Sequence, residues 1–139
     1  MQWNAQTNAG FSTGAPWLPV QRAASTYNVA REQADPNSIY AWYRALLKLR
    51  HDHPAFRDGA YIPLDSANPN VFVFARKAGA NLALIAMNTS PEKQNVTVHG
   101  LPGAWPPFRQ TLLASPAAQA PATESFSIEP FGVIIAATE

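Results

Sequence analysis

The sequence predicts a mainly β protein: one α-helix packed on an antiparallel β-sandwich or Greek-key domain, preceded by a long irregular loop. Three observations predict it. From about residue 59 onward, short β runs alternate with turn residues. Between residues 36 and 53 the apolar residues recur at helical spacing. Residues 1 to 35 follow neither period. A chain of 139 residues suits about one domain, able to bury roughly two-thirds of its unfolded surface.

The lead-in carries Asn, Gln, Gly and Pro with isolated aromatics: Trp3, Phe11, Trp17 and Tyr27. An unpatterned loop of this length inside a compact domain points to function, disorder, or an excursion of a neighbouring protein body. The helix follows. Asp35 is the expected N-cap and Pro36 the first helical residue, with Pro54 ending the helix near His53. Ile39, Tyr40, Trp42, Tyr43, Leu46, Leu47 and Leu49 share an arc of about 180°, against roughly 100° for an ordinary surface helix. Such a helix is expected to pack against two bodies. Arg50 falls inside that arc. Its stem either lies on apolar surface with the head in water, or its charge meets a carboxylate of an adjoining domain.

The β region opens on a weak strand, Tyr61 to Leu64. Val71 to Ala75 and Leu82 to Met87 are apolar on consecutive residues and are expected to be a central pair buried on both faces, joined through Lys77 to Asn81. Gln94 to Val98 alternates and reads as half-exposed. Arg109 to Leu113, Ser125 to Ile128 and Val133 to Ala137 complete the set, with Ala114 to Thr123 expected as a mobile surface loop.

Composition excludes several classes. Apolar residues make up 47% of the chain, so it is not a disordered polymer. Charged residues are 14% and the net charge is +1, with no basic stripe for nucleic acid or a membrane surface. There is no cysteine, hence no disulfide or thiolate metal site. The longest apolar run, Leu82 to Met87, is far short of the ~20 residues of a membrane span. The first residues lack the charged and apolar regions of a signal peptide; the compartment stays open, with the cytoplasm favoured. His51 and His53 do not share a helix face, and no metal or cofactor is expected. The acids, from Glu32 and Asp35 to Glu129 and Glu139, all have ordinary capping, turn or surface explanations. None suggests the paired carboxylates of a glycosidase cleft.

The chain resembles a known family on several runs: Met1-Gln2-Trp3-Asn4, Asn8-Ala9-Gly10-Phe11-Ser12, Pro16-Trp17-Leu18-Pro19-Val20, and Tyr27-Asn28-Val29 with Gln33. Asp35 to Ile39, Tyr43 to Arg50, and Pro54-Ala55-Phe56-Arg57-Asp58-Gly59 continue it, and the strand ending in Asn88 extends it. The likeness is to the α-glucosidases and oligo-1,6-glucosidases of glycoside hydrolase family 13. It implies a TIM barrel followed by an antiparallel β domain. Residues 1–35 would then be the loop after the last barrel strand, 36–53 the last barrel helix, and 59–139 the C-terminal domain. The loop would lie on the face where barrel active sites are built.

The family's catalytic carboxylates lie on earlier strands, and no position here matches them. The chain departs from the family at Asn4, where Asp is usual. It also starts inside a family motif, so Met1 is expected to be an internal methionine. The resemblance implies a fragment of a hydrolase of carbohydrate metabolism, inactive alone. It would stabilise the missing barrel and help shape sugar subsites through Trp3, Asn4, Phe11 and Trp17. The aromatics either stack on sugar rings or staple the loop to the barrel. An exposed helix face would favour self-association. The alternative is a free-standing carbohydrate-binding or structural β domain.

Overall fold

A computed structural model describes residues 1–138. By internal packing the chain forms two compact units, Met1–Leu47 and the remainder from Lys48 onward. The division falls inside the longest helix.

The first unit is built from turns. Single 3-10 turns occupy Thr7–Gly10 and Arg22–Ser25, and a short helix α1 spans Val29–Ala34. The lack of periodicity before residue 35 does not reveal α1, because six residues are too few to show a face. Local capping holds it instead. Asn28, 4% exposed, accepts from Arg31 N at 3.1 Å and donates Nδ2 to Ala24 O at 2.9 Å. The carbonyls of Gln2 and Trp3 accept from Val29 N and Ala30 N at 3.0 and 2.9 Å, so the lead-in satisfies donors that a helix start leaves open.

Helix α2 spans Ile39–Asp52. It starts later than the Asp35–Pro36 signal suggests. Asp35 Oδ1 accepts from Asn37 N at 2.8 Å and makes a turn. The capping residue is Ser38, whose Oγ accepts from Ala41 N at 3.1 Å, while Glu32 reaches over to accept from Tyr40 N at 3.2 Å. No residue of α2 is buried. Ile39, Tyr43 and Leu47, at i, i+4 and i+8, are 74%, 63% and 62% exposed.

The second unit is antiparallel β. Its strands are β1 (Ala60–Pro63), β2 (Val71–Ala78), β3 (Asn81–Asn88), β4 (Gln94–Thr97), β5 (Gln110–Ser115), β6 (Ser125–Ile128) and β7 (Val133–Ala137). Five form one sheet in the order β1-β2-β3-β7-β5, and β4 pairs with β6 in a second. The β2–β3 hairpin turns through Gly79 at φ 59°, a left-handed conformation that glycine adopts freely.

The core lies between the sheets. Val71, Val73, Leu84, Ala86, Ile134 and Ala136 face Val96, Val98, Phe108 and Ile128. The burial of β3 on both faces agrees with its unbroken apolar run. On β2 the same expectation fails: burial alternates, and Phe72 is 51% exposed. A short helix α3, Pro54–Arg57, lies against β2 and β3, and Arg76 Nε of β2 donates to Ala55 O at 3.3 Å. Gly59 must be glycine here, because a Cβ would stand 2.3 Å from Ala55 O. The Ala/Pro-rich stretch is anchored rather than loose. Ala118 and Ala120 pack on the core, Thr111 Oγ1 donates to Ala118 O at 3.1 Å, and Trp105 Nε1 donates to Pro121 O at 3.4 Å.

Asn88 closes the far end of the sheet. It is 3% exposed, and its Nδ2 serves the carbonyls of Glu92, Glu129 and Ile128 at 2.6, 2.9 and 3.3 Å. Its Oδ1 accepts from Ser90 N at 2.9 Å and Ser90 Oγ at 2.8 Å. The strand-ending asparagine legible in the sequence therefore ties β3 to the segments that follow β3 and β6.

Candidate functional site: a groove in the lead-in

The first fourteen residues fold back on themselves. Trp3 N and Asn4 N both donate to Ala9 O, at 2.9 and 3.2 Å. Asn4 Oδ1 accepts from Gln6 N at 3.0 Å. The returning backbone passes so close to the Asn4 amide that a Cβ on Gly10 would lie 2.5 Å from it.

Three successive residues are left-handed: Asn8 at φ 55°, Ala9 at φ 56° and Gly10 at φ 67°. Glycine adopts this readily and asparagine tolerates it, but alanine is strained there. Ala9 is held nonetheless, 4% exposed and with two amides on its carbonyl. Asn8 Nδ2 donates to Ser12 O at 3.0 Å and Gly14 O at 2.8 Å, and Ser12 Oγ accepts from Gly14 N at 3.0 Å.

The loop beyond encloses an open groove of ≈ 650 Å³, with Asn8, Ala9, Phe11, Pro16, Trp17 and Leu18 in its wall. That volume is in the range of small-molecule sites. Of the four residues singled out in the sequence, Phe11 and Trp17 line the groove, 66% and 91% exposed. Trp3, 46% exposed, and Asn4 belong to the turn beneath and are not in its wall. Asn8 and Ala9 were not singled out. Their signal was the Asn-x-Gly pattern, which marks a backbone able to turn left-handed.

The carboxylates are engaged locally. Asp52 is bonded by Lys48 Nζ, a hydrogen bond that holds its carboxyl below the usual range. Asp58 pairs with Arg57 at 2.7 Å and Glu129 with Lys93 at 2.6 Å, all exposed. Asp65 Oδ1 accepts from Ala67 N at 2.8 Å. Glu139 lies outside the described residues. Arg50 is exposed and donates Nη1 to Phe56 O at 2.9 Å. Among the described residues, no group of three His, Asp or Glu could hold a metal, and no helix is long and apolar enough to cross a membrane. Burial lowers the basicity of the His53 imidazole, and its Nδ1 has no partner among the described residues.

Residues 1–59 match the α-amylase catalytic-domain family. The chain is 42% identical over 90 residues to an oligo-1,6-glucosidase of Heyndrickxia coagulans, covering 65% of this chain and 16% of that protein. It is 39% identical over 100 residues to a glucan 1,6-α-glucosidase of Streptococcus pneumoniae, covering 72% and 18%. The crystal structure of the trehalulose synthase MutB from Pseudomonas mesoacidophila superimposes with a TM-score of 0.81 at 34% identity, covering 98% of this chain and 24% of that one. A MutB mutant from crystals soaked with trehalulose gives 0.83 at 36%.

The match over residues 1–59, the antiparallel β domain and these relatives define the class: a portion of an α-amylase-family protein. The chain belongs to the α-amylase family, glycoside hydrolase family 13, and is similar to a part of its oligo-1,6-glucosidase and glucan 1,6-α-glucosidase members. It spans less than a fifth of the length of these two curated relatives.

Proposed function

We propose that this chain is the non-catalytic C-terminal portion of a retaining α-glucosidase acting on α-glucosidic oligosaccharides. Residues 1–35 are the loop that follows the last barrel strand, 36–53 the last barrel helix, and 59–139 the C-terminal domain. The observation that carries this reading is the helix. A 14-residue amphipathic helix with no buried residue and with Ile39, Tyr43 and Leu47 in solvent has a side made for further protein, and the catalytic barrel of the relatives is what fits there. The groove of Phe11 and Trp17 supports a sugar subsite, since exposed indole and phenyl faces stack on the apolar faces of pyranose rings. Trp3 and Asn4 support the turn under it.

The purified chain is expected not to hydrolyse p-nitrophenyl α-glucoside; turnover sensitive to mutation of its acids would overturn the non-catalytic reading. Titration with isomaltose, followed on the Trp17 indole signal by NMR, should give weak saturable binding in the millimolar range. Micromolar binding would instead favour a free-standing carbohydrate-binding module. That alternative draws on the second unit having a complete core of its own. No response of Trp17 would remove the subsite.

A further inference from the structure

We infer that Asn8 is the positioning residue of the sugar groove, its side-chain amide fixing the spacing between Phe11 and Trp17. This inference rests on the subsite reading and goes one residue beyond it. Asn8 lies in the groove wall, and its side-chain donors turn to the loop that carries the aromatics. Its two Nδ2 hydrogens go to Ser12 O at 3.0 Å and Gly14 O at 2.8 Å, the two carbonyls that bracket the turn between Phe11 and the Pro16–Trp17 wall.

Its own backbone, at φ 55°, opens a left-handed run that continues through Ala9 and Gly10. Asparagine is one of the few residues that combines tolerance of that conformation with a two-hydrogen donor. The donor is needed because residues 11–20 are all exposed and Trp17, 91% exposed, rests on almost nothing. An aromatic wall without packing keeps its place only through the backbone that carries it. Backbone strain held in place by surrounding contacts, here the two amides on Ala9 O, is found where a geometry is used. If Ser12 and Gly14 are released, the loop visits other conformations and apparent affinity falls in proportion to the groove-competent fraction.

The test uses the full chain and two substitutions that both permit a left-handed residue and both remove the donor: Asn8→Gly and Asn8→Asp. Isomaltose is titrated against the Trp17 indole signal, with thermal midpoint and amide exchange of residues 12–18 recorded in parallel. Both variants should bind about tenfold more weakly, equivalent to 1.4 kcal/mol. Their midpoints should stay at the parent value, with faster exchange at residues 12–18. Binding equal to the parent with unchanged exchange would overturn the role of Asn8 and leave the subsite standing. A lowered midpoint in step with weaker binding would also overturn it, by making Asn8 part of the general fold. If the parent chain itself gives no indole response, the subsite reading fails, and the exchange measurement still decides whether Asn8 holds the loop.

Discussion

Replacing Asn88 with alanine is expected to be among the most damaging single side-chain changes in the β unit. Asn88 is 3% exposed and serves five partners. They are not equally dependent on it. Glu92 O keeps a bond from Ser90 Oγ at 3.1 Å, and Glu129 O keeps one from Gly132 N at 2.8 Å. Ser90 N has no second acceptor among the described residues and sits in a residue 8% exposed. An orphaned buried amide costs about 1–3 kcal/mol, and each weakened carbonyl contact roughly half to one more. The total is about 3 kcal/mol, which for a unit of this size lowers the melting midpoint by on the order of 15 °C. Thermal and urea unfolding followed by far-UV circular dichroism measure it. Asn88→Asp should do no better, since it keeps the acceptor for Ser90 but turns a negative oxygen toward three carbonyls. A loss below about 1 kcal/mol for Asn88→Ala would refute the reasoning.

Gly59→Ala should cost roughly 2 kcal/mol, because the new methyl meets the backbone of Ala55 and Lys77 with no side chain to yield; the urea midpoint reports it. His53 predicts an acid-sensitive fold. Burial lowers its folded pKa, so folding favours its neutral form. Its contribution is complete above the unfolded value of about 6.5, and it is lost as pH falls from there through the lowered folded pKa. Midpoints at pH 7.5 and 5.0 should differ less in His53→Phe than in the parent; an equal difference would show that His53 does not contribute. Leu84→Ala removes a fully buried side chain and should cost about 2–5 kcal/mol in the same urea assay.

The sequence made the β unit readable because its strands are driven by burial, and burial leaves a pattern. Ser125–Ile128 and Val133–Ala137 appear with the expected bounds. Where pattern is ambiguous the reading fails. Consecutive apolar residues on β2 cannot say that Phe72 faces solvent. Asp35-Pro36 is a sound helix start until Ser38, three residues on, offers a better-placed hydroxyl to Ala41 N. The short helices α1 and α3 are fixed by capping and by the close approach at Gly59, not by periodicity. The groove was legible only in part. Exposed aromatics stand out in an unpatterned loop, so Phe11 and Trp17 are visible. The hydrogen bonds of Asn8, and the separation of Trp3 and Asn4 from the groove wall, depend on a left-handed turn that leaves almost no trace in composition.

The central claim is that α2 carries a surface shaped for a protein body beyond these residues. Light scattering on the purified chain, paired with amide exchange over residues 1–35, tests it most directly. The exposed side of Ile39, Tyr43 and Leu47 belongs to a patch on the order of several hundred Å², enough to drive association. The account predicts concentration-dependent self-association that falls away when these three residues are changed to serine. A clean monomer with residues 1–35 fully protected from exchange would contradict it.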